Sequence, residues 1–233
     1  MPLPMVHLAV AVRLAAARKS ADSPEFADMA EFYLGCIAPD AIHARAGAGR
    51  DDKRDSHYAQ GHPARCDLGA LAKMLTGGWA SGKRVSFAEG YAAHVLTDHL
   101  WQDTVAAAFR ERMQREGLEA DLRVLYYQDC DKLDLDLYDT APWRPAVWGH
   151  LASATVPDFP PLLTASEIAS WRDHVLGWFD KNPDKRLHDA ARISQSEIDA
   201  FIDYAAGEVA NRMREWRSSS VPHAATCGPS LAT

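Results

Sequence analysis

The run from Gly90 to Trp101 (Gly-Tyr-Ala-Ala-His-Val-Leu-Thr-Asp-His-Leu-Trp) constrains the fold more than any other part of the chain. Its apolar residues recur at helical spacing, and it embeds His94 and Asp98 four residues apart. Side chains at i and i+4 share one helix face, so an imidazole and a carboxylate placed there can close on a single metal ion.

The remaining chain reads as further helices. Met5 to Lys19, rich in Ala and Leu, forms the first, with His7 near its start. Ser23 as a cap before Pro24 opens a second, from Glu25 to about Leu34, and Pro39 breaks it. Residues 40–61 are polar, charged and glycine-containing and read as a long loop, of the kind that is functional or disordered inside a compact domain. A third helix covers Ala64 to Leu75 and stops at Gly77-Gly78. The helix of His94 and Asp98 begins at a capping box, Ser86 with Glu89, and continues to about Arg115. Ala120 to Tyr138 places Tyr126, Cys130, Leu133 and Leu137 at helical spacing, although Leu133 to Leu137 alternates as a strand does; helix is the expectation. Pro142 to Pro161, with Trp143, Trp148 and Phe159, is irregular around one short helix. Thr164 with Glu167 opens a helix to Phe179, and Ser194 with Glu197 opens another to Arg217. The residues from Ser218 on read as a disordered tail. The expected architecture is all-α: one multi-helix bundle over residues 1–217, then the tail 218–233.

Composition narrows the partners. A formal charge of −7 and the absence of any basic run argue against a nucleic-acid duplex, but not against a small phosphorylated substrate reached through a divalent cation. Cys36, Cys66, Cys130 and Cys227 form no C-x-x-C pair and suit reduced thiols in a cytoplasmic protein. The apolar run Leu8 to Ala17 has its basic residues within or after it, so it reads as an amphipathic helix and not as a signal peptide. No segment reaches the roughly 18 apolar residues of a membrane span. The nucleophile elbow, the H-E-x-x-H zinc motif, the phosphate-binding loop and the dinucleotide fingerprint are all missing.

Two segments upstream of the central helix offer further metal ligands: Gly35-Cys-Ile-Ala-Pro-Asp40 and Arg54-Asp-Ser-His57. Imidazole nitrogens with carboxylate oxygens suit zinc, or less specifically another divalent ion. With an open position for water, such a site is hydrolytic. Asp98, on one face with His94, is the candidate to bridge two ions.

Taken in order, His7 in Pro2-Leu-Pro-Met-Val-His7, the segment Phe32 to Asp40, His57, and the helix Gly90 to Asp98 resemble the zinc-dependent phospholipase C family. These are all-α enzymes that share their fold with zinc-dependent single-strand nucleases. The likeness is strongest over residues 1 to about 105, and Tyr126 to Tyr138 looks like a segment of uncharacterised bacterial relatives. The resemblance implies that Asp40, His57, His94 and Asp98 bind one zinc ion and that His7 helps to bind another. It also implies hydrolysis of a phosphoester, either a phosphodiester such as a phospholipid or a small soluble ester. The sequence departs from the family at the amino terminus, Met1-Pro2 standing where a mature tryptophan supplies a ligand. It departs again at Thr104, in the region where the family has a histidine, and no His-x-x-x-Asp/Glu pair follows Asp103. One or two ions are therefore expected in place of three.

Asp40, His43 and His99 are the candidates for direct work on a substrate. His99 also pairs with Asp103 at i+4, about 100° around the helix from the first pair. Each residue has a plainer reading: His94 and Asp98 as a buried structural pair, Asp40 as a turn residue, His57 as a solvated loop residue. The acidic run Asp129, Asp131, Asp134, Asp136 and Asp139 fails the EF-hand template at Leu133 and Asp134 and reads as a solvated helix face, with Asp129 or Asp131 open as an extra ligand. Arg45, Arg54 and Arg144 are either phosphate partners or ordinary surface charges. The leading expectation is a cytoplasmic zinc-dependent phosphoester hydrolase. Its competitors are a non-catalytic metal-binding structural domain and an interaction module without metal.

Overall fold

The computed structural model describes residues 3–20, 26–59, 66–77, 84–187 and 192–219. Ten α-helices follow one another there: α1 (Pro4–Ser20), α2 (Met29–Gly35), α3 (Arg50–Ser56), α4 (Leu68–Thr76), α5 (Val85–Asp103), α6 (Val105–Glu116), α7 (Leu122–Thr140), α8 (Arg144–Ser153), α9 (Ala165–Lys181) and α10 (Gln195–Ser219). Short 3-10 segments occupy Ala38–Ala44, Glu119–Asp121 and Pro183–Leu187. Among the described residues the only β pairing is two isolated bridges, so the all-α expectation holds.

α5 is the axis of the bundle. It is buried on every side, including Ser86, Glu89, His94, Thr97 and Asp98. A helix polar on one face would solvate that face; this one is enclosed by α1, α2, α4, α6 and α10. Its closest neighbour is α2, which crosses it through two glycines. A Cβ on Gly90 would stand 2.1 Å from the Phe32 carbonyl oxygen, and one on Gly35 would stand 2.2 Å from that of Phe87. Only the absence of both side chains lets the two backbones touch.

Several element boundaries differ from the sequence reading. The second helix starts at Met29, because Asp28 caps it by accepting from the Glu31 N–H at 2.9 Å; Ser23 and Pro24 lie outside the described residues. Ser86 does not cap α5. Its hydroxyl oxygen accepts the Asp28 N–H, and the buried Glu89 points away to ion pairs with Arg18 and Arg217. The helix expected to run to Arg115 breaks at Thr104, whose hydroxyl bonds back to the Leu100 carbonyl. That break turns Ala106, Phe109 and Met113 of α6 onto the core, and Gly117 ends α6 at φ 70. Residues 40–59 are not a loop but a 3-10 segment and α3, while 60 and 61 lie outside the described residues. α4 opens at Asp67, whose carboxylate accepts from Gly69 and Ala70; Ala64 and Gly78 lie outside the described residues.

Other expectations hold. The alternating Leu133–Leu137 stretch is helical within α7, and one short helix, α8, interrupts the proline-rich segment. Thr164 and Glu167 close a capping box on α9, and Ser194 and Glu197 exchange the same bonds at α10. α10 runs to Ser219, so the tail expected from residue 218 begins inside a helix; residues 220–233, with His223 and Cys227, lie outside the described residues. No helix among the described residues is long and apolar enough to cross a membrane.

Candidate metal centre

Five polar side chains are buried at one place beside α5: His7 from the first turn of α1, Asp40 from the 3-10 segment, His57 from the end of α3, and His94 and Asp98 from α5 itself. His57 is brought there by Tyr91, one turn before His94, whose hydroxyl donates to the Ser56 carbonyl. The chain then leaves α3 through Tyr58 at φ 51, a left-handed conformation that costs a non-glycine residue about 1 kcal/mol. α2 contributes through its end, where the Cys36 carbonyl meets His94.

The hydrogen bonds fix how the imidazoles point. His94 Nδ1 lies 2.8 Å from the Cys36 carbonyl oxygen and His57 Nδ1 lies 3.0 Å from that of Lys53. A carbonyl only accepts, so both Nδ1 atoms carry the proton and both Nε2 atoms face inward. Burial, and after it the neighbouring His7, push the His94 imidazole down to about 3, so its Nε2 presents a lone pair. It presents that lone pair to carboxylates. His94 Nε2 is 3.9 Å from Asp40 and 3.7 Å from Asp98, and His57 Nε2 is 3.4 and 3.5 Å from the same two residues. None of these contacts is a hydrogen bond: both Nε2 atoms and both Asp98 oxygens are buried without a partner. Burial opposes ionisation of both acids. The Lys53 ammonium, 3.2 Å away, nevertheless holds Asp40 well below the usual carboxylate range.

Acceptors facing acceptors in a buried site are costly unless a proton or a cation lies between them, and this group could hold a metal ion. The spacing fits one, since four ligands each about 2.0–2.1 Å from a zinc ion stand roughly 3.4 Å apart at tetrahedral angles. Asp40, His57 and His94 offer ligand atoms all within 4.8 Å of one another, and so do His7, His94 and Asp98. Two carboxylates against one divalent ion also balance in charge. The Nδ1–H bonds to carbonyls are the outer contacts that usually orient metal-binding histidines. His7 stacks flat on His94, ring centroids 3.8 Å apart, with Nε2 3.4 Å from the second oxygen of Asp98.

No protein-family model, curated protein or solved structure matches the chain. What the site can do is therefore read from its own geometry.

The metal candidates His7, Asp40, His57, His94 and Asp98 are all brought together. His43 sits at the rim, half-exposed, with Nε2 3.6 Å from Asp40 and 2.8 Å from Lys53 Nζ. An ammonium only donates, so His43 accepts there and carries its proton on Nδ1; burial and Lys53 lower its pKa. His99 is not brought in. One position past Asp98 it turns about a quarter of the way around α5, where its Nε2 lies 3.9 Å from Asp103. The acidic run is likewise elsewhere. Asp129 accepts from the Ile193 N–H, Asp131 pairs with Lys185, and Asp134 accepts from the Met5 N–H at the start of α1. Neither Arg45 nor Arg144 is free for a phosphate: Arg45 clamps Glu167, Asp52 and the Leu162 carbonyl, and Arg144 lies over Tyr138.

Sequence reasoning passed over Lys53 and Tyr91. Lys53 stands four residues before His57, a spacing with meaning only once the segment is known to be helical, and Tyr91 stands three before His94 on the same face of α5.

Proposed function

We propose that the protein is a metal-dependent hydrolase acting on a phosphoester, with zinc as the metal and the cytoplasm as its compartment. One observation carries the reading: buried histidine nitrogens and Asp98 oxygens without hydrogen-bond partners converge with Asp40 at metal-ligand spacing. The donor set, nitrogen and oxygen without sulfur, suits zinc. Asp40, His57, His94 and Asp98 hold the ion, and His7 with the far oxygen of Asp98 offers part of a second position. When bound, the ion supplies Lewis acidity and makes water a competent nucleophile near neutral pH. Lys53 and His43 supply what this chain adds. Lys53 places a positive charge beside Asp40, where phosphoryl oxygens gain negative charge, and His43 stands half-exposed with an Nδ1–H that can hydrogen-bond a phosphoryl oxygen. The order of His7, Asp40, His57, His94 and Asp98 supports kinship with the zinc-dependent phospholipase C family, on the sequence likeness alone.

The test is metal content by elemental mass spectrometry, followed by a phosphoester screen. Protein purified with zinc in the medium is expected to hold at least one equivalent, and His94→Ala and the isosteric Asp98→Asn are expected to lose it. Loss of hydrolysis on chelation, restored by zinc, supports the enzyme. Bound metal that raises the melting temperature without any hydrolysis supports a structural site instead. Wild-type protein that takes up no metal refutes both.

A further inference from the structure

A cavity of about 320 Å³ opens directly beside the metal centre, lined by Ile42, His43, Ala48, Gly49, Arg50, Lys53 and Arg54. Two of these, His43 and Lys53, also touch Asp40. The lining holds three cations and no carboxylate, in a chain whose net charge is −7. The larger cavity on the other side of α3, about 430 Å³, shows the contrast. There Arg45 and Arg54 are matched by Asp52, Asp55 and Asp67, and Arg45 is committed to Glu167 and Asp52.

The charges can be followed one by one. Arg54 is paired with Asp51 at 3.0 Å. Arg50 has no ion-pair partner among the described residues. Lys53 is paired with Asp40, but a divalent ion would neutralise Asp40 and Asp98 together and leave the Lys53 charge uncompensated. The metal-loaded site therefore faces this cavity with two unbalanced positive charges, Lys53 and Arg50. A phosphate monoester carries close to two negative charges near neutral pH, whereas a diester carries one. The volume is at the low end of the roughly 300–1,000 Å³ of small-molecule sites, and of its lining residues Ile42 and Ala48 are the two with hydrocarbon side chains.

We propose that this cavity is a phosphate site, which seats the dianionic group of a phosphomonoester against Lys53 and Arg50 beside the metal centre and so selects monoesters over diesters. The inference rests on the phosphoester reading above and narrows it away from the diester that the family likeness suggests. In the reaction, water oxygen adds to phosphorus and the ester P–O bond breaks. The bonding pair leaves on the alcohol oxygen, which gains a proton as the water loses one, giving alcohol and inorganic phosphate.

The experiment titrates inorganic phosphate into zinc-loaded protein by calorimetry, for wild type, Arg50→Ala and Arg50→Glu, with zinc content measured on each sample. It also compares 4-nitrophenyl phosphate with bis(4-nitrophenyl) phosphate as substrates. Phosphate is expected to bind the wild type and to bind Arg50→Glu at least tenfold more weakly at unchanged zinc content. The monoester is expected to be the better substrate by at least tenfold in kcat/KM. Phosphate binding indifferent to both substitutions, or a preference for the diester, overturns the phosphate site and leaves the hydrolase reading standing. Arginine-dependent phosphate binding with neither ester cleaved does the reverse: the anion site stands and the hydrolase reading falls.

Discussion

Gly90→Ala tests the packing that holds the site together. In an exposed helix the substitution would stabilise by about 1 kcal/mol, because alanine loses less backbone freedom on folding. Here the added Cβ would stand 2.1 Å from the Phe32 carbonyl oxygen, with the Cys36 nitrogen at 2.9 Å and the Gly35 Cα at 3.0 Å. All three are backbone atoms, so no side chain can swing aside, and α2 must move off α5 by about 1 Å in a close-packed interior. Overpacking of this kind costs about 1–3 kcal/mol and sometimes more, and it outweighs the propensity gain. A net loss of about 2 kcal/mol lowers the melting temperature of a chain this long by roughly 4–8 °C. The damage also reaches the metal centre, because α2 ends at Cys36, whose carbonyl orients His94. Loss of such an outer contact typically weakens metal binding by about 10–100-fold. The assay pairs thermal unfolding with zinc titration against a competing chelator. Gly207→Ala in α10, with nothing within 4 Å of its added Cβ, is the control and should be neutral or slightly stabilising. A Gly90→Ala protein as stable as the control variant, with wild-type zinc affinity, refutes the glycine crossing.

Asp134 makes stability depend on pH. Burial raises its carboxyl from 3.8 to about 8, so the folded chain holds a proton that the unfolded chain releases. Its contribution is intact below about pH 4 and falls as pH rises toward 8. Asp134→Asn keeps an acceptor for the Met5 N–H and removes the titration. Urea unfolding should show the variant gaining on the wild type by an amount on the order of a few kcal/mol between pH 5 and pH 8, and equal pH slopes would refute the assignment. Tyr91→Phe removes only the hydroxyl that binds the Ser56 carbonyl. It should cost about 1–2 kcal/mol and weaken zinc binding several-fold by freeing His57; unchanged zinc affinity would show that His57 is placed by other contacts.

Much of the helical order was legible because it is written in local chemistry. The capping boxes at Thr164 and Ser194 act within four residues, and both stand where the spacing predicts. The misreadings came from residues with two uses. Ser86 and Glu89 form a cap pattern, yet tertiary partners claim both: Asp28 takes the hydroxyl and two arginines take the carboxylate. Asp28 was passed over for Ser23 because both are good caps and only packing against α5 chooses between them. Residues 50–56 carry no helix signal because Arg-Asp-Asp-Lys-Arg-Asp-Ser has no apolar face. The helix is held instead by long-range contacts that no local pattern shows, the Arg45 bridge from Asp52 to Glu167 and the Tyr91 hydroxyl on Ser56.

The site divides along the same line. His94 and Asp98 were readable because one helix carries both, and only the order of the family likeness drew Asp40, His57 and His7 to them. Lys53 and Arg50, which line the proposed phosphate site, were not readable at all. Lys53 looks like any surface lysine until α3 folds its own carbonyl onto His57 and its ammonium onto Asp40. That one residue then couples both halves of the centre, orienting one ligand through its backbone and setting the charge of another through its side chain. Lys53→Met separates the two roles, because the carbonyl survives and the charge does not. The variant should keep its zinc, since His57 stays oriented and Asp40 is still available, and should lose most of its affinity for phosphate. Zinc lost together with phosphate would mean that the ammonium holds Asp40 in place, and that its charge toward the cavity is incidental.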